Sequence, residues 1–285
     1  MNFYLTAILL GLGFSALALG IYISLRVFNI PDITTDGSFT LGGAVTAVLL
    51  LGDMHPLLII PIVFLAGALA GAATAFIHTR LKVNALLSGI LVMTALYSIN
   101  LALMGRSNLP LIGTRNIFFT IGNLSELQSQ LIILFIISVI LCIKLWWILR
   151  TDFGLAMRAT GNNETMIRSL GVNTNRMKII GLALANGLTA LSGYLIVQLQ
   201  GFADINMGIG IVILGLGSVM IGEIIVSRKT NRLAISLISV IVGAIIFRLI
   251  LAFALSIGID AIYLKLIVAL FVLIVVSIPS FRKTF

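Results

Sequence analysis

Pro56-Leu-Leu-Ile-Ile-Pro-Ile-Val-Phe-Leu-Ala-Gly-Ala-Leu-Ala-Gly-Ala-Ala-Thr-Ala-Phe-Ile77 runs without a single charged side chain, between His55 and His78. A helix rises about 1.5 Å per residue, so this stretch spans the roughly 30 Å of a bilayer's hydrocarbon core. Working outward, similar apolar runs fall at Phe3–Leu25, Ser38–Leu51, Ala85–Met104, Leu131–Leu149, Ile179–Leu199, Gly208–Val226, Leu233–Leu255 and Ile262–Ile278. The whole chain agrees: 60% of its 285 residues are hydrophobic, 9% are charged, and the mean hydropathy is +1.20. A soluble chain carries about 25% charged residues. A membrane barrel would show segments of about ten residues with alternating polarity, and these runs do not alternate. The sequence therefore predicts an all-α, polytopic transmembrane bundle of about nine spans, within a range of eight to ten.

The net charge of +9 is accounted for by position. Basic residues gather at Arg80/Lys82, from Lys144 to Lys178, at Arg228/Lys229/Arg232 and at Arg282/Lys283, with two apolar runs between successive clusters. All clusters then share one face, which the positive-inside rule makes cytoplasmic. Arg26 fits if the second run crosses fully, placing the N-terminus outside and the C-terminus inside; Arg106 and Arg115, in the long external loop Arg106–Gln130, are exceptions. No soluble basic domain exists to carry nucleic acid, so none is expected as a partner. The first run lacks a basic leader and exceeds a signal-peptide core in length, so it is expected to stay as a helix.

Enzyme chemistry finds no constellation. The sole cysteine, Cys142, lies inside an apolar run, and His55 and His78 sit at opposite ends of one span. No metal site and no cofactor are expected. The chain has no phosphate-binding G-x-x-x-x-G-K-[ST] loop, so ATP-driven transport would need an ATPase on another chain.

Gly67/Gly71 and Ser218/Gly222 have the small-x-x-x-small spacing that lets helices approach closely, either inside the subunit or between subunits. The loop Arg150–Lys178 says more. Asn162 or Asn163 can cap a short helix with Glu164 in its first turn. Met166, Ile167 and Leu170 then form an apolar face beside Arg168, and Gly171 stands where a left-handed residue ends a helix. So short a helix is unstable alone in water; it docks on a soluble partner or lies on the lipid surface.

The runs Gly154-Leu-Ala-Met-Arg-Ala-Thr-Gly161, Leu170-Gly-Val-Asn173 and Gly181-Leu-Ala-Leu-Ala-Asn-Gly-Leu-Thr-Ala-Leu-Ser-Gly193 resemble the coupling segment of branched-chain amino acid type ABC permeases, a superfamily that includes ribose-type permeases. The stretches Asn29–Gly43, Leu91–Asn100 and Gly215–Glu223 are most similar to permeases of tryptophan/tyrosine ABC importers. The resemblance spans nearly the whole chain. It implies a type II importer-like bundle comprising one transmembrane permease domain, 1–285, with a cytoplasmic coupling loop, 150–178. It also implies a bacterial multi-pass protein of the cytoplasmic (inner) membrane, working as a homodimer with two cytoplasmic ABC ATPases and an extracytoplasmic solute-binding protein. Its implied solute is an aromatic or branched-chain amino acid. A sugar or nucleoside, or a self-sufficient secondary transporter, is the alternative.

On that reading, Pro31 breaks the backbone ahead of the short second run, and Asp36-Gly37 and Gly42-Gly43 favour turns or close approach. A broken second span at membrane depth must face protein or water. That makes Asp36 and Ser38 candidate pathway residues, unless Asp36 merely caps the following helix. Thr94 and Tyr97, with Ser98 and the partly displaced Asn100, give the fourth run a polar face that lines a pathway or bonds neighbouring helices. Arg248, deep in its run, needs a partner: Glu223 with Arg248 is one possible pair, and Glu223 with Arg228 another.

Overall fold

The structure, a computed structural model, describes residues 2–118, 125–226 and 233–284. The Arg228/Lys229/Arg232 cluster lies outside them. Among the described residues, seven helices are long and apolar enough to cross a membrane. They are α1 (Phe3–Val27), α2 (Thr34–Leu51), α3 (Pro56–Arg80), α4 (Ala85–Met104), α5 (Glu126–Arg150), α8 (Thr174–Gln200) and α10 (Leu233–Ser256). Two short helices, α6 (Asp152–Asn162) and α7 (Glu164–Ser169), lie between α5 and α8. The remaining apolar runs form α9 (Ile211–Ile225) and the helix α11 (Leu264–Thr284). All nine runs are therefore helical, but Gly208–Val226 yields only 15 helical residues, so nine full crossings is an approximate count.

Local chemistry fixes several boundaries. α3 opens with Pro56 after His55, whose Nδ1 accepts from Leu57 N, a position where proline's missing N–H costs nothing. Asn84 caps α4, and Ser125 with Gln128 forms a reciprocal capping box on α5. The loops after α4 and α8 are joined by an antiparallel pair of strands, β1 (Asn108–Pro110) and β2 (Phe202–Asp204).

The expected break falls ahead of the second span and not within it. α1 ends in a π-type turn, Asn29 takes φ 58°, and residues 28–33 are non-helical. α2 is then a continuous helix from Thr34. Gly37, Gly42 and Gly43 lie inside it, so they make no turns; they serve close approach.

α8 is the central element, packed against α3, α2 and the second half of α1. A Cβ on Gly42 would stand 2.0 Å from the Ala190 carbonyl oxygen, and one on Gly193 2.1 Å from that of Phe39. These two glycines set the α2–α8 distance from both sides. Gly67 and Gly71 of α3 likewise meet α8 backbone at Asn186 and Leu182, and Ser218/Gly222 meet α10 at Gly243 and Ser239. Both small-residue motifs are thus spent on contacts inside the chain.

Candidate functional site

The non-helical segment before α2 is anchored by a polar cluster in the core. Asp32 accepts from Thr34 N (2.9 Å) and Asn186 Nδ2 (2.6 Å), and Ser38 donates to Asn186 Oδ1 (2.7 Å). All are buried, and such groups are tolerated only when bonded. Ser38 therefore braces α2 against α8 and does not face an open pathway. Asp32 and Asn186 were not singled out in the sequence; Asn186 stands as an isolated amide in the apolar stretch Gly181–Gly193, whereas Asp32 is screened from notice by the polar residues around it.

Asp36 caps a helix, but not its own. Its two carboxylate oxygens accept from Gly210 N (2.9 Å) and Val212 N (2.8 Å), at the N-terminus of α9. A carboxylate here satisfies orphan N–H groups and meets the positive end of the helix. Beside it lies a cavity of about 30 Å³, lined by Asp36, Thr40, Tyr97, Asn100, Ile205 and Ile209. That is water-sized, too small to hold a solute.

Asn100 is buried, and its Nδ2 donates to the Gly37 carbonyl (3.3 Å), but its Oδ1 has no partner. Tyr97, 48% exposed, stands on the open face of α4 with Thr94, whose hydroxyl bonds back to Ile90. The structure thus gathers Asp36, Tyr97 and Asn100 at one place, leaves Thr94 on the adjoining surface and separates Ser38 from them.

Of the two alternatives for Glu223, Arg228 lies outside the described residues and the pair with Arg248 does not form. Glu223 makes a bidentate salt bridge with Arg26 at the end of α1. The reason is depth. Gly222 packs on Ser239, which leaves Glu223 about 15 Å along α10 from Arg248 at 1.5 Å per residue. Arg248 places its guanidinium 4.0 Å from the centre of the Phe14 ring, a cation–π contact, and its Nε has no hydrogen-bond partner.

In the loop between α5 and α8, Asn163 Oδ1 caps α7 by accepting from Met166 N (3.0 Å), and Gly171 takes φ +84°. Met166 and Leu170 are 52% and 70% exposed, whereas Ile167 is buried. The outward apolar face is narrower than expected because Ile167 turns under its own loop, where α7 meets α6 and α8. Glu164 ties the loop down through Lys178 (2.6 Å), Arg168 (2.8 Å) and Thr174 (3.0 Å).

Partial burial alone would push the Glu164 carboxyl up, but the Lys178 and Thr174 hydrogen bonds and the charges of Lys178 and Arg168 together hold it below the usual range. A depressed carboxylate contributes stability above its unfolded pKa and loses it as pH falls through the folded one. The protection of amides 164–172, their exchange rate taken relative to the intrinsic rate at each pH, is therefore expected to fall as the medium is acidified through the glutamate range. The effect is at most about 1 kcal/mol, since these charges are partly solvated. Glu164→Gln should abolish that pH dependence, and an unchanged profile in the variant would show that another group controls the loop.

Seven long apolar helices among the described residues, with two short helices in the most basic loop, define a polytopic membrane protein. Among solved structures, an ABC transporter of the metal-chelate type in an inward-facing conformation shares the fold: TM-score 0.53, 14% identity, 98% of this chain and 86% of that one covered. The tyrosine transport system permease protein of Clostridioides difficile (strain R20291) is 39% identical over 91% of this chain and 85% of its own length. Uncharacterized protein RP368 of Rickettsia prowazekii (strain Madrid E) is 35% identical over 99% of both. Residues 3–277 match the family described as branched-chain amino acid transport system / permease component, and this chain belongs to it. It is an ABC permease, a multi-pass transport subunit of the cytoplasmic membrane and not an enzyme; its family implies an ATPase and a solute-binding partner.

Proposed function

We propose that the chain is the permease of an importer for an aromatic or branched-chain amino acid, two identical copies enclosing one pathway between two ATPases and a binding protein. The similarity to a tyrosine transport permease over 91% of the chain supports the solute class. The observation that carries the pathway is the meeting of Tyr97, on the open face of α4, with Asp36 and the unpartnered oxygen of Asn100 at one small cavity. These groups offer an acceptor, a hydroxyl and a carboxylate to a polar solute, while the surrounding helices stay apolar. Thr94 extends the polar face and Ser38 stiffens it from behind. The exposed Met166 and Leu170, framed by Glu164, Arg168 and Gly171, form the surface on which the ATPase docks; Ile167 anchors that surface to the chain.

Uptake of labelled tyrosine and leucine into proteoliposomes holding permease, ATPase and binding protein tests this. Tyr97→Phe removes one hydroxyl and is expected to slow uptake about fivefold, the worth of one hydrogen bond. Asp36→Asn removes the charge from the α9 cap and should slow it further. Both variants should still assemble with the ATPase. Full uptake by both would return these residues to structural duty, and uptake of ribose in place of either amino acid would overturn the solute class.

A further inference from the structure

Between α3, α5 and α8 lies a groove of about 300 Å³, walled by side chains such as Pro61, Phe64, Leu145 and Leu188. Lys144 is the charged residue in that wall. Pro61 sits inside α3, where it has no backbone N–H to donate along the helix. Lys144 precedes Arg150, the last residue of α5, by six positions or about 9 Å. This is the end of the bundle where α3 finishes at Arg80 and α8 begins beside Arg176 and Lys178, the basic and hence cytoplasmic face. A lysine stem of this length carries its ammonium to the headgroup level. Among the described residues the ion pairs are Arg26–Glu223, Arg168–Glu164 and Lys178–Glu164; none includes Lys144.

We propose that this groove binds an anionic phospholipid of the cytoplasmic leaflet, its acyl chain between α3, α5 and α8 and its phosphate on Lys144. The two halves of the site ask for different things, hydrocarbon along the groove and negative charge at its cytoplasmic end, and one phospholipid supplies both. A second copy packing an apolar helix there would leave the ammonium dry and unpaired, the costly arrangement inside a bilayer. The neighbouring side chains suit the headgroup level: Trp147 is exposed, and Arg150 stacks on Trp146 at 4.8 Å, as expected of an aromatic belt.

Trp146 and Trp147 are the chain's two tryptophans, so their fluorescence reports on this place. The full-length permease would be reconstituted in phosphatidylcholine vesicles containing either dibrominated phosphatidylglycerol or dibrominated phosphatidylcholine, and quenching titrated. Phosphatidylglycerol should be preferred about fivefold, the effect of one basic residue near a lipid headgroup. The preference should vanish in Lys144→Gln, return in Lys144→Arg and persist in Arg150→Gln. Size exclusion checks that each variant remains folded. Equal quenching by the two lipids in the unmodified chain would overturn the proposal. So would a preference that survives Lys144→Gln but is lost in Arg150→Gln, since that is general attraction to the membrane surface. Loss of dimerisation in Lys144→Gln without lipid preference would assign the groove to a second copy instead.

Discussion

Leu170→Asp is expected to abolish uptake while leaving the permease folded and inserted. Leu170 is 70% exposed, so the change costs the isolated chain almost nothing: a carboxylate there stays in water. The cost arises only if a partner covers the position. Burying an unpaired charge in a dry contact costs on the order of several kcal/mol, which weakens ATPase association by a factor of 100 or more. ATP-driven rearrangement can act only through a contact whose energy differs between the conformations it connects, and Met166 and Leu170 are the apolar side chains that α7 presents for one. Copurification of ATPase with tagged permease, paired with proteoliposome uptake, reads the result. Gly171→Val should be milder, about 1–2 kcal/mol, because φ +84° strains a residue with a Cβ. Normal association and normal uptake in Leu170→Asp would show that the ATPase docks elsewhere.

Gly42→Ala should be as damaging to folding as Leu170→Asp is harmless. The added methyl would lie 2.0 Å from the Ala190 carbonyl oxygen and 2.7 Å from its Cα. Backbone cannot rotate away as a side-chain tip can, so α2 and α8 must separate. That movement would also pull on Ser38–Asn186 and Asn186–Asp32, groups with no water to turn to. Overpacking of this kind costs about 3 kcal/mol or more. Gly52→Ala is the internal control: its nearest new neighbour is 3.5 Å away, an ordinary contact. Monodispersity and thermal melting in detergent would distinguish them, and equal behaviour of the two variants would refute the close α2–α8 packing.

The spans were legible in the sequence because hydrocarbon thickness imposes a length and lipid forbids charge, so each apolar run announced itself. The α7 caps were legible for a similar reason, since Asn163 and Gly171 act within a few residues of themselves. What could not be read was anything joining distant segments. Asp36 was visible as a possible cap for its own helix, yet it caps α9, 174 positions away at Gly210. Glu223 was offered Arg248 or Arg228 as a partner and not Arg26, which it meets, because a linear run gives no depth relative to its neighbours. The inward turn of Ile167 escaped the i, i+3, i+4 pattern, which assigns a face but not what covers it.

The Asp36 cap and the Arg26–Glu223 salt bridge act on opposite ends of α9. Together they make that helix a strut of about 22 Å bolted at one end to the start of α2 and at the other to the end of α1. Its 15 residues cannot slide along their axis without first breaking these charge-assisted bonds. A rearrangement that moves the junction of α1 and α2 would therefore act on α9 at both of its ends, next to the small cavity that Asp36 and Tyr97 line.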